Sequence, residues 1–142
     1  MSSRVHASLF YHFVWTTKNR IPYIVSAIKK PLYDYMGRTI LTKGWCLLAI
    51  GGIEDHVHIL IQKNCPKDFI SDIVCRIKSN SSKFVRDNFN SSFEWQRGYS
   101  VFTVDKVSCP RIKQYILSQE KHHKDMPFDK EFDLLLKRYG IK

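Results

Sequence analysis

The sequence predicts an α+β domain built on a four-stranded antiparallel sheet, and three observations predict it. Strand-like and helix-like segments follow one another in the order β-α-β-β-α-β-α, with a further helix at the end, which is a split βαβ arrangement. Two of the strand-like segments are joined only by Gly52-Ile53-Glu54 and its neighbours, so they pair as an antiparallel hairpin. The length, 142 residues, suits one compact domain spanning 1–142. Helices are expected on one face of the sheet, the arrangement of ferredoxin-like or RRM-like domains.

The first strand is expected over residues 7–15, ASLFYHFVW, which is dense in aromatic and branched side chains and ends in the polar turn Thr16-Thr17-Lys18-Asn19-Arg20. His12 within it reads as a core or sheet-face histidine. A helix follows over 26–43, capped by Ser26, with Ile28, Leu32, Tyr35, Met36, Thr39 and Ile40 at helical spacing and Lys43-Gly44 as its stop. Residues 45–51 and 56–62 form the hairpin. Pro66 opens a long helix to Asn88 whose apolar face carries Phe69, Ile70, Ile73, Val74, Ile77, Phe84 and Val85. Its polar tract, 78–83, reads as an exposed surface or as a phosphate-contacting one. A fourth strand at 100–104, a helix over 110–123 and a last helix over 129–139, ended by Gly140, complete the chain.

Composition narrows the function classes. With 44% hydrophobic and 13% aromatic residues the chain has material for a real core. The 23 Lys and Arg against 13 Asp and Glu leave a net charge of +10, which suits a polyanionic partner, nucleic acid before an acidic membrane. The four cysteines have no CxxC spacing, so neither a zinc knuckle nor a disulfide framework is signalled. No signal-peptide pattern and no apolar run near the roughly 20 residues of a membrane span are present. A cytoplasmic protein with reduced thiols, and no membrane partner, is expected.

The stretch Asp55-His56-Val57-His58-Ile59-Leu60-Ile61 carries the chemistry. Strand side chains alternate, so His56 and His58 share a face roughly 7 Å apart and can converge on one metal ion. Asp55 falls on the other face, which suggests a turn or edge role. A histidine pair on an apolar strand is as readily packing as ligation. A second pair gives it a context: Tyr115 and Gln119 stand four apart on an expected helix, one turn from each other. A phenol with a pKa of about 10 is a poor nucleophile at neutral pH, and needs either proton removal or an electrophile polarised by a metal. Gln119 is the candidate third ligand.

Three separated stretches, His56-Val57-His58, then 93–102 (FEWQRGYSVF), then 115–123 (YILSQEKHH), together resemble the single-tyrosine HUH transposases, the TnpA enzymes of the IS-two-hundred type of insertion sequences. The opening stretch 11–20, YHFVWTTKNR, is similar to that family's first strand and turn. The resemblance implies that His56, His58 and Gln119 bind Mg²⁺ or Mn²⁺ and that Tyr115 is the nucleophile. It implies cleavage of single-stranded DNA with a 5′-phosphotyrosine on the enzyme and a free 3′-OH, without a nucleotide cofactor. It further implies recognition of DNA hairpins by a homodimer with composite active sites. By charge and placement, Lys18, Arg20, Lys78, Ser82, Lys83 and Arg86 are candidate DNA contacts. His122-His123 read as exposed helix-exit residues, and Trp95 and Tyr99 as either core or base-stacking groups. The alternatives are a non-catalytic nucleic-acid-binding module of the same fold and a domesticated HUH-type nickase.

Overall fold

The structure, a computed structural model, describes residues 5–122 and 126–141; His123 lies outside them. The elements are β1 (Leu9–Thr16), a 3-10 turn (Lys18–Arg20), α1 (Ser26–Thr42), β2 (Cys46–Ile53), β3 (His56–Lys63), α2 (Ile70–Asn88), β4 (Ser100–Thr103), α3 (Cys109–Leu117), α4 (Gln119–His122) and α5 (Phe128–Arg138). The four strands form one antiparallel sheet in the order β2-β3-β1-β4. The α+β class and the antiparallel sheet are as expected.

Alternation along the two central strands decides the layers. On one face Phe13 and Trp15 of β1 and Val57, Ile59 and Ile61 of β3 pack with Ile28, Leu32, Met36 and Ile40 of α1 and Ile73, Val74, Ile77 and Val85 of α2. The four buried residues of α1 recur every fourth position, which keeps one stripe of the helix on the sheet. On the other face Phe10 and Leu60 meet Cys109, Ile112 and Ile116 of α3. Val14 and Phe102 on this face meet Phe128 and Leu135 of α5. The expectation of helices on one face therefore holds for the crossover helices alone. The second face of β1 and β3 is itself apolar at Phe10, Val14 and Leu60, and leaving it in water would forfeit that burial. The C-terminal helices cover it, and His12, His56 and His58 lie beneath them with no exposed surface.

Several boundaries differ for local reasons. Ser26 is the first helical residue of α1 and not its cap; Val25 precedes it in extended conformation with no side-chain cap. The long helix begins at Ile70, four residues after Pro66, because Asp68 takes a left-handed φ of 69° and Phe69 is extended. Lys63 Nζ holds that turn by donating to the carbonyls of Lys67 and Asp68 at 2.7 and 3.2 Å. The polar tract of α2 is not uniformly exposed. Ser81 is buried, donates to the Ile77 carbonyl at 2.6 Å and accepts the Trp95 indole N–H at 2.9 Å, which places Trp95 in the core. The helix expected over 110–123 is broken at Ser118, with φ −102° and ψ 18°, so Tyr115 lies in the last turn of α3 and Gln119 begins α4.

The docking of α3 depends on one glycine. A Cβ at Gly51 of β2 would sit 2.2 Å from the Ile116 carbonyl oxygen, and Gly51 is paired with His58 across the hairpin. Backbone of α3 thus rests directly on the strand beside the histidines. Gly51→Ala should destabilise the fold by roughly 1–3 kcal/mol through overpacking, read as a lower urea midpoint. An unchanged midpoint would contradict this close approach.

Candidate metal centre and tyrosine

The paired histidines sit at the start of β3, opposite Thr16 and Val14 of β1. Each ring is oriented at both nitrogens. His56 Nδ1 lies 2.7 Å from Asp55 Oδ1, and its Nε2 lies 2.9 Å from Gln119 Oε1. His58 Nδ1 lies 2.9 Å from His12 Nε2, and its Nε2 lies 3.0 Å from Glu131 Oε1. Asp55 lies in the turn just before β3 and from there holds His56.

Two of these partners come from helices that the fold brings to the same spot. The break at Ser118 does not part Tyr115 and Gln119 in space: the Tyr115 ring stands edge-on to His58 at 5.5 Å between centroids, and Gln119 Oε1 lies against the neighbouring His56. Glu131 is buried on the apolar stripe of α5, between Phe128 and Leu135. Ligand atoms of His56, His58 and Glu131 all lie within 4.8 Å of one another, and Glu131 Oε1 is 3.5 Å from His56 Nε2. Among the described residues the Gln119 Nε2 is buried without a hydrogen-bond partner, while its oxygen meets His56. Two imidazole nitrogens, a carboxylate and an amide oxygen are a donor set that fits a divalent cation of the Mg²⁺ or Mn²⁺ kind.

Glu131 was not among the residues singled out from sequence. Its signal was present: a carboxylate at an apolar-stripe position of an amphipathic helix, three after Phe128 and four before Leu135. A cleft of about 250 Å³ opens beside it, lined by Tyr115, Met126, Glu131, Leu134, Leu135 and Arg138.

The electrostatics are those of a metal-free site. Burial alone would lower the His56 pKa, but hydrogen bonds to Asp55, Glu131 and Gln119 outweigh it and push it up to about 9. Glu131 is buried, which favours the neutral acid, yet hydrogen bonds from His56 and His58 hold its carboxyl far below the usual range. Burial and the Glu131 charge raise the Tyr115 phenol, so it stays protonated here. Burial lowers His12 well below the ordinary histidine value, and the His58 charge adds to this.

The candidate DNA contacts divide into two groups. Lys18 and Arg20 lie in the exposed turn after β1, at the end of the sheet where Thr16 pairs with His56, and make ion pairs with Glu94 at 3.2 Å and Asp129 at 2.7 Å. The other four are on α2, across the sheet from the histidines. Lys78 donates to the carbonyls of Gln96 and Gly98 at 2.6 and 2.7 Å. Ser82 is buried and donates to Ser79 O at 3.1 Å, and Arg86 donates to Phe93 O at 3.3 Å. Lys83 is exposed and pairs with Asp87 at 2.7 Å. Tyr99 is exposed.

A family model described as "Transposase IS200 like" matches residues 5–119. A crystal structure of a candidate transposase from Deinococcus radiodurans R1 is similar with a TM-score of 0.68 and 27% identity, covering 82% of this chain and 94% of that one. A REP-associated tyrosine transposase bound to a REP hairpin is similar with a TM-score of 0.61 and 14% identity, covering 82% and 69%; at that identity the likeness is one of fold. No curated protein matches the chain in sequence. Among the described residues no helix is long and apolar enough to cross a membrane.

The shifts predict how stability follows pH. The raised His56 pKa contributes stability that is full below about pH 6.5 and is lost as pH rises through about 9. The lowered Glu131 pKa contributes stability present above about pH 4.5, lost on acidification. A bound cation needs deprotonated imidazoles, so it opposes the alkaline loss. Thermal melting in chelator should fall between pH 6.5 and 9, and fall less with millimolar Mg²⁺. A flat profile in chelator would contradict the cationic His56.

Proposed function

We propose that this chain, which belongs to the family of IS200-like transposases, cleaves and rejoins single-stranded DNA with Tyr115 as its nucleophile. The observation that carries the proposal is the convergence of His56, His58, Glu131 and Gln119 on one buried point beside the Tyr115 ring. A divalent ion, Mg²⁺ or Mn²⁺, held by those residues would polarise the scissile phosphate and cancel the negative charge that raises the phenol. The phenol oxygen of Tyr115 forms a bond to phosphorus while the bond from phosphorus to the 3′ oxygen breaks. Its proton leaves through Glu131, whose charge acts on the phenol, and ends on the departing oxygen as a free 3′-OH. One phosphodiester replaces another, so rejoining by attack of a 3′-OH on the 5′-phosphotyrosine requires no nucleotide cofactor.

The substrate proposed is the folded single strand at an insertion-sequence end, with a hairpin held by backbone contacts. The net charge of +10 supports a polyanion. Lys18 and Arg20 are the favoured contacts, because they project at the sheet end near His56 and their ion pairs are solvent-exposed. Lys83 adds an exposed cation, whereas Lys78, Ser82 and Arg86 already serve contacts within the fold. A homodimer is retained in the proposal. Tyr115 stands at the histidines of its own chain, so composite sites would arise by exchange of α3 between protomers.

Incubation with a labelled single-stranded hairpin oligonucleotide and Mn²⁺ should give an adduct that survives denaturation. The adduct should vanish in Tyr115→Phe and in chelator. Its persistence in Tyr115→Phe would overturn the nucleophile, and free products without an adduct would point to a hydrolytic nuclease.

A further inference from the structure

We propose that His12 and Tyr139 form a positioning relay that supports the metal-binding tautomer of His58 by accepting its Nδ1 proton, leaving Nε2 to face the candidate metal. The inference rests on the metal-site reading above and assigns roles to two residues outside the ligand set. His12 stands in the middle of β1, fully buried. Its Nε2 is 2.9 Å from His58 Nδ1, and its Nδ1 is 3.0 Å from the Tyr139 hydroxyl. Tyr139 follows α5 directly, and its ring stacks on Phe102 at 4.3 Å with 1° between planes. Phe102 in turn stands edge-on to the His12 ring at 6.0 Å. The relay is thus held by packing as well as by its hydrogen bonds.

The proton arithmetic allows the relay two directions, and the partner of His58 Nε2 selects between them: toward the Glu131 carboxylate Nε2 donates, whereas a cation there would call for the opposite direction. A nitrogen-to-nitrogen hydrogen bond between two imidazoles holds one proton. When His58 Nε2 presents its lone pair to a cation, the neutral ring carries its proton on Nδ1 and donates it to His12 Nε2. The neutral His12 then has its own proton on Nδ1, donated to the Tyr139 oxygen. Reversing the chain would put the His58 proton on Nε2, where it blocks ligation. The two ligand histidines are therefore oriented by different means. His56 is backed by the Asp55 carboxylate, which anchors it as a charge partner. His58 is backed by a neutral imidazole and a phenol, so its orientation depends on two hydrogen bonds in series. Partners of this kind behind a ligating histidine typically affect metal affinity by 10–100-fold.

The test is titration of the full chain with Mn²⁺ by calorimetry, without DNA, in the wild type and in His12→Leu, His12→Gln and Tyr139→Phe. His12→Leu keeps bulk and burial but removes the acceptor, and is expected to weaken Mn²⁺ binding roughly 10–100-fold. His12→Gln offers an amide oxygen to His58 Nδ1–H and should recover most of the loss. Tyr139→Phe removes only the far end and should fall between them. Nitrogen-15 spectra of the Mg²⁺-loaded wild type should show the His58 proton on Nδ1. Wild-type affinity in His12→Leu, or a proton on His58 Nε2, would overturn the relay. Should His12→Leu not fold, the Gln variant against the wild type and the tautomer spectrum still decide it. A wild type that does not bind Mn²⁺ would overturn the underlying metal reading instead.

Discussion

Two imidazoles buried on a central strand impose the constraint on which the rest of this structure depends. A buried ring nitrogen without a partner is costly, and His56 and His58 bring four of them under a layer of helices. Each is met: Asp55 and Gln119 serve His56, and His12 and Glu131 serve His58. These partners come from four separate places, namely the hairpin turn, the start of α4, the neighbouring strand and α5. Satisfying the histidines therefore fixes where the C-terminal helices lie. The same convergence that satisfies the rings also builds a ligand set, because the two Nε2 atoms, the carboxylate and the amide oxygen crowd one point.

The tyrosine is positioned by that assembly and not by its own helix alone. Gly51 lets the backbone of α3 rest on β2 opposite His58, and the break at Ser118 turns Gln119 toward His56. Burial and the nearby Glu131 charge together keep the phenol protonated. A cation among the ligands would offset the Glu131 share of that restraint, which would couple ion binding to nucleophile activation. The chain belongs to the IS200-like transposase family, and in the reaction proposed above this coupling would serve the transfer of a phosphodiester to Tyr115 and back. The exposed cations after β1 lie at the same end of the sheet.

Much of the fold was legible in the sequence because its layers follow strand and helix periodicity. Alternation along β3 put His56 and His58 on one face, and the structure extends the same division to β1, where Phe13 and Trp15 join the core of the other face. The pairing of Tyr115 with Gln119 was read from spacing, and both do reach the histidines, although across a broken helix and not along one face. Glu131 escaped because a lone acidic residue in a charged helix, Asp129-Lys130-Glu131, looks solvated until the burial of Phe128 and Leu135 shows which way the helix faces. The role of His12 escaped for a related reason. Only the register of β1 against β3 shows that it lies beside His58. The candidate contacts on α2 were chosen by charge, and charge does not reveal which side of a sheet a helix covers.

The central claim is that these buried groups hold a divalent ion beside Tyr115. Anomalous diffraction from crystals of the chain grown with Mn²⁺ tests it most directly. One peak within about 2.5 Å of both His56 Nε2 and His58 Nε2, with the Gln119 oxygen or the Glu131 carboxylate completing its shell, is the predicted result. A peak elsewhere with the two imidazoles still bonded to Glu131 and Gln119, or no peak at all, would contradict it.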